Sequence, residues 1–323
     1  MESRFLALAG ERRCSRIGPP TSSALLQKDR VFARKQIRRS AALTTLMWID
    51  AHQHFWLYSA REYDWIDGRM AAIRRNFLPA DLSPLLESCG FGGSVVVQTR
   101  QTREETEWLL KLAEEHPSIL GVVGWLDLRS ARLRNELQSF VGGSKLVGIR
   151  HIVQSEPDGF LLDPDFLRGV SILEDFDLAY DILIYSKHLP TAAEFVRRFP
   201  RQRFVLDHLA KPPIKSGAMD LWARGIREIA SFPNVYAKVS GLVTEADWQY
   251  WKPDDIYRYL DVAFACFGPD RLMIGSDWPV CLVAASYERT INVVKDYLNR
   301  FTSEERRAVL GGNAAKFWHL KSV

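Results

Sequence analysis

The chain predicts a (β/α)8 barrel, the TIM-barrel architecture. Eight short runs rich in Val, Ile and aromatic residues recur after Met47, each followed by helical sequence. They extend over about 275 residues, the usual length of such a barrel. Helix start signals fall between the runs. No Gly-rich phosphate loop follows the first run, which disfavours the open doubly wound sheet.

In order, the predicted strands are 48–52 (WIDAH), 93–98 (GSVVVQ), 120–128 (LGVVGWLDL) and 146–153 (LVGIRHIV). The second four are 178–185 (LAYDILIY), 203–208 (RFVLDH), 234–241 (NVYAKVSG) and 271–277 (RLMIGSD). Their β-branched and aromatic content, and the Gly or Pro bounding several, mark them as strands. Between them, Thr102-x-x-Glu105, Thr191-x-x-Glu194 and Thr302-x-x-Glu305 read as capping boxes opening helices. Asp163-Pro164 suits a first helical turn. The stretches MDLWARGIREIAS and DDIYRYLDVAFACF space apolar residues by three and four.

Of the 323 residues, 47% are apolar and 25% charged, enough for one large domain. No apolar run reaches the ~20 residues of a membrane span. The formal charge of +4 is uneven. Residues 1–46 hold ten Lys/Arg against three acids, and the remainder holds 33 basic and 36 acidic residues, a net charge of −3. The body therefore offers nothing for nucleic acid. Residues 1–46 read as a basic, disordered leader, and 47–323 as the catalytic domain. The leader's composition suits an organellar transit peptide. The preferred reading is an extension upstream of a start at Met47, because no apolar signal segment is present and the fold signal begins there. Cys14, Cys89, Cys266 and Cys281 lack close pairing and read as reduced thiols in a cytoplasmic protein.

In a barrel, polar residues at the C-terminal ends of strands carry chemistry. Strand one ends in His52-Gln53-His54, and alternation puts both imidazoles on one face. That pair is either a metal site or two histidines hydrogen-bonded in a barrel mouth. In GIRH, His151 shares the inward phase of Ile149, so Arg150 points outward unless the strand has ended. Arg150 suits a carboxylate or polyol oxygen, or a structural ion pair. Asp181 sits in an apolar strand, so it is paired or faces the site. Asp207 and His208 alternate, so one of them points at the axis, and His208 is the better candidate. Lys238 and Ser240 share a phase. Glu245, Asp247 and Trp248 fall in the following loop, where an aromatic face lines a sugar site or staples the loop. Gly275 and Asp277 share a phase, which leaves room around a carboxylate poised as a general base or metal ligand.

His-x-His on strand one, a His on strand six and an Asp on strand eight resemble the amidohydrolase superfamily. The stretches WIDAHQHFW, GVVGWLDL, GIRH, VLDHLAKP, KVSGLVTEADW and RLMIGSDWPV are similar to its sugar-lactone hydrolases, of the L-fuconolactonase and L-rhamnonolactonase type. Pyrone and muconolactone lactonases belong to the same branch. The resemblance covers roughly 47–320. It implies that water attacks the carbonyl of a small-molecule lactone, with Asp277 as base, its pKa raised by burial near Gly275. The carbonyl would be polarised by one Zn²⁺ or by His54, His151 and His208. Sugar hydroxyls would meet Arg150, Lys238, Glu245, Trp248 and Trp278. Binuclear relatives use a bridging carboxylated Lys or a Glu from strand four and a His from strand five. Arg150, His151 and Asp181 stand there instead, so the implied metal is at most one divalent ion, on His52, His54 and Asp277, or none. The rival readings are a lactonase for a pyrone or muconolactone-type aromatic breakdown product, a metal-dependent decarboxylase on the same barrel, and a non-catalytic sensor of sugar acids.

Overall fold

A computed structural model describes residues 47–140 and 142–320; the leader expected at 1–46 lies outside them. Eight parallel strands follow one another around a single sheet: β1 (Trp48–Gln53), β2 (Phe91–Val97), β3 (Ile119–Gly124), β4 (Leu146–Ile152), β5 (Ala179–Leu183), β6 (Phe204–Leu206), β7 (Val235–Val239) and β8 (Leu272–Ile274). The seam between β8 and β1 closes beyond the ladder. His54 N donates to Trp278 O at 2.7 Å and Asp277 N to His52 O at 2.8 Å. Among the described residues closure leaves no open sheet edge, as a barrel requires.

Helices cover the outer face: α1 (Pro79–Ser88), α2 (Arg103–Glu115), α3 (Leu133–Phe140), α4 (Pro164–Leu173), α5 (Leu189–Arg197), α6 (Asp220–Ala230), α7 (Pro253–Phe267) and α8 (Tyr287–Leu298). Thr102 caps α2 as expected, accepting from Glu105 N. The box is incomplete, because the Glu105 carboxylate turns to Thr99 and Arg100. Thr302 forms the full box, and Asp163 caps α4 ahead of Pro164. Thr191 does not cap: α5 starts at Leu189, where Pro190 sets the first turn. Among the described residues no helix is long and apolar enough to cross a membrane.

Two buried layers result. Outward-facing strand residues such as Val96, Ile149, Ile182 and Leu206 join the helices in one cluster. Inward-facing Ala51, Val97, Val123, Ala179, Val205 and Met273 form a second, with Phe317 and Trp318. Because helices cover the outside, the outer face is strongly apolar. This corrects the expected phase of β4. Ile149 and His151 face outward and Arg150 faces the axis, where it pairs with Asp207.

Candidate active site

The site is a cluster of four donor atoms at the C-terminal mouth of the barrel. His52 Nε2 and His54 Nε2 lie 3.2 Å apart. Asp277 Oδ1 is 3.2 Å from His54 Nε2 and 3.8 Å from His52 Nε2. His208 Nε2 is 3.8 Å from the same oxygen. All four side chains are buried. The expected convergence of His52, His54, His208 and Asp277 is therefore present.

Local backbone devices place these groups. The β1–β2 register slips by one residue between Asp50 and Gln53, and such a bulge re-aims the side chains that follow. Asp277 has φ +56 and Gly275 lies beneath it, with room for no side chain: a Cβ there would sit 2.7 Å from His52 Cβ. His208 opens a run of four left-handed residues, His208 to Lys211, with φ of 53, 51, 58 and 50. Each costs roughly 1–2 kcal/mol for an L-residue. The turn is held by Trp222 Nε1, which donates to Leu209 O at 2.8 Å. Ser186 Oγ also donates, to Ala210 O at 3.0 Å and Lys211 O at 2.8 Å. It overturns the alternation expected at strand six: both Asp207 and His208 face the axis.

Neighbours fix the ring orientations. Val97 O lies 2.7 Å from His54 Nδ1, so that nitrogen carries the proton and Nε2 presents its lone pair. Ser240 Oγ holds His208 Nδ1 at 2.8 Å. Burial pushes the His208 imidazole down to about 4 and the His52 imidazole well below its ordinary value, so both are neutral at neutral pH. Burial pushes the Asp277 carboxyl up, but His208, His54 and His52 together outweigh it and hold the group well below the usual range. The expected upward shift is thus corrected: Asp277 is a carboxylate at neutral pH.

Beneath the cluster lies a charged layer inside the barrel. Lys238 Nζ is 2.5 Å from Asp181 Oδ2, 2.9 Å from Asp207 Oδ1 and 3.2 Å from His52 Nδ1. Arg150 Nη1 donates to Asp207 Oδ2 at 3.0 Å, and Nη2 donates to Gln98 Oε1 at 3.1 Å and to Gln98 O. Two cations and two carboxylates balance, which makes burial of all four tolerable. Burial raises the Asp181 carboxyl to about 7, and Lys238 opposes that shift. Lys238, expected to meet sugar hydroxyls, has no exposed surface.

Above the cluster opens a pocket of about 550 Å³, lined by His54, Arg150, His208 and Asp277, with Glu156, Lys211, Glu245 and Trp248 higher up. Lys211 pairs with Glu245 at 3.3 Å, and burial raises the Glu245 carboxyl. Trp248 donates through Nε1 to Thr244 O, leaving its ring to line the pocket. His151 and Trp278 are not there. His151 stacks on Phe160, accepts from Trp125 Nε1 at 3.2 Å and holds Glu156 at 2.8 Å, so it orients a rim carboxylate. Trp278 is buried edge-on against Phe55 and Phe77.

Sequence reasoning missed Asp50. Its Oδ1 accepts from His52 N at 3.2 Å and Ser276 N at 2.9 Å, and its Oδ2 from Tyr287 OH. It ties β1 to the β8 end behind the histidines. An acid two residues before the His-x-His pair was the available signal.

Two groups among the described residues have metal-ligating spacing: His52, His54 and Asp277, and His52, Asp207 and His208. Bonds of about 2.0–2.1 Å to a tetrahedral ion place its ligands about 3.3 Å apart. The separations of 3.2 to 3.8 Å around Asp277 Oδ1 fit one small divalent ion.

Residues 49–320 match the amidohydrolase family model. An L-fucono-1,5-lactonase of Burkholderia multivorans is 42% identical over 284 residues, covering 84% of this chain and 96% of that protein. An L-fucono-1,5-lactonase of Burkholderia ambifaria is 39% identical over 280 residues, covering 84% and 95%. A solved Burkholderia multivorans amidohydrolase structure with bound zinc matches at 42% identity and TM-score 0.83, covering 85% of this chain and all of that one.

Proposed function

The chain belongs to the amidohydrolase family, and on that premise we propose that it hydrolyses a sugar lactone of the L-fucono-1,5 kind to the aldonic acid. The carrying observation is one buried carboxylate, Asp277, with three imidazoles converging on it at the floor of a pocket. Asp277 takes a proton from the attacking water, whose oxygen bonds to the lactone carbonyl carbon. His52 and His208 flank the place where charge gathers on the carbonyl oxygen, while His54 Nε2, which presents a lone pair, does not donate to it. The bond to the ring oxygen then breaks, and that oxygen takes the proton from Asp277. Glu245, Lys211 and Arg150 meet hydroxyls, and Trp248 covers an apolar sugar face.

A divalent ion, when bound, would be held by His52, His54 and Asp277, with His208 beside them, and would supply Lewis-acid polarisation of the carbonyl. The zinc in the Burkholderia relative supports zinc as that ion.

A panel of freshly made aldonolactones (L-fucono, L-rhamnono, L-galactono, D-arabinono) beside a planar dicarboxylated pyrone lactone tests the reading with a pH indicator. The polyhydroxylated lactones should be opened well above the spontaneous rate. Preference for the pyrone would replace the sugar reading with that of an aromatic-breakdown lactonase.

A further inference from the structure

Lys238 lies inside the barrel with three partners and no exposed surface. An ammonium offers three N–H donors and no acceptor. Two of those partners are carboxylate oxygens, and the third is His52 Nδ1. The tautomer of His52 is therefore not free.

We propose that Lys238 is a positioning residue that fixes the His52 tautomer: it donates to Nδ1, leaves the ring proton on Nε2, and so presents His52 to the reaction centre as a hydrogen-bond donor. His54 completes the arrangement. Its Nδ1 is committed to Val97 O at 2.7 Å, so its Nε2 is an acceptor, and it stands 3.2 Å from His52 Nε2. With the proton on His52 Nε2, both 3.2 Å contacts of the ring join a donor to an acceptor. The opposite tautomer would use two longer contacts instead, Asp207 Oδ1 at 3.4 Å from Nδ1 and Arg150 Nη1 at 3.4 Å from Nε2. It would also set a ring N–H against the ammonium and two lone pairs against each other. The shorter, charge-assisted pair of contacts decides.

Two consequences follow. A protonated Nε2 has no lone pair for a metal, so Lys238 lowers the affinity of the site for the ion whose ligand spacing it otherwise fits. The same N–H, which rests on His54 Nε2, is the donor that on the lactone reading would turn to a carbonyl oxygen as it develops charge. Only this last step rests on that reading. Without the ammonium, Nδ1 would be free to donate to Asp207, the carboxylate–histidine arrangement that favours a metal on the other nitrogen.

The test has two parts, neither of which measures turnover. A long-range proton–nitrogen spectrum of histidine-labelled wild-type protein, free of metal, should show His52 as the Nε2–H form. Its signal is assigned by its absence in His52→Gln. An Nδ1–H form overturns the proposal. In Lys238→Met, zinc affinity measured calorimetrically on the metal-free protein should rise about tenfold or more, the scale on which such outer partners act. Affinity within twofold of wild type overturns it as well. Should the variant not fold, the wild-type spectrum decides alone. Absence of lactone hydrolysis would count against the substrate reading and leave the tautomer untouched.

Discussion

At the scale of single residues, Asp277 differs from the other carboxylates inside the barrel. Asp181 and Asp207 are tied to Lys238 and Arg150, whereas Asp277 faces three imidazoles and the open pocket. On the proposed reading it is the acid that moves a proton. Asp277→Asn keeps the shape and removes the base, so kcat should fall by ~10²-fold or more in steady-state assays. The two tryptophans expected to bind sugar should separate experimentally. Trp278→Ala empties a buried site between Phe55 and Phe77 and should cost about 3–5 kcal/mol in urea unfolding. Trp248→Ala should raise KM far more than it lowers the urea midpoint, because its ring lines the pocket. The reverse pattern would return Trp278 to the substrate.

At the scale of elements, the site depends on irregular backbone at strand ends. The left-handed turn after β6 carries His208, and Gly241, with φ +64, is the space it turns into. A Cβ at Gly241 would lie 2.6 Å from His208 Nδ1. Gly241→Ala should therefore displace the imidazole and cost activity beyond its effect on stability, measured by kcat beside unfolding free energy. The β2–α2 junction shows another buried acid. Burial pushes the Glu105 carboxyl above its ordinary 4.5, against hydrogen bonds from Thr99 and Arg100. Since the folded state binds that proton more tightly, the stabilisation is full below 4.5 and lost as pH rises through the folded value. Unfolding free energy should carry this downward component with rising pH. Glu105→Gln keeps an acceptor for both backbone N–H groups and should flatten it.

At the scale of the molecule, each strand contributes through both faces. The outer face binds helices, and the inner face carries an apolar floor, a charged middle layer and the polar mouth. The family match begins at residue 49, just inside β1. A chain starting at Met47 should therefore fold and retain full lactone hydrolysis, with an unchanged urea midpoint. Insolubility or loss of activity would assign residues 1–46 to the fold.

The sequence by itself determined the barrel, its eight strands and the residues that gather at its mouth. Alternation and apolar runs are local properties, and His52, His54, His208 and Asp277 each stand at the end of such a run. What it could not determine was direction. Ile149 looked inward because it is apolar, yet in a barrel wrapped by helices the outer face is the apolar one, and Arg150 takes the axis. Asp207 and His208 looked mutually exclusive until a left-handed turn brought both to the centre. Lys238 looked like a sugar ligand, and only its distances to Asp181, Asp207 and His52 place it beneath the chemistry. These outcomes depend on contacts between residues up to 186 positions apart and on backbone conformations that cost energy locally and are held by distant partners. No window of sequence contains both halves of such a contact, so the tertiary structure alone decided them.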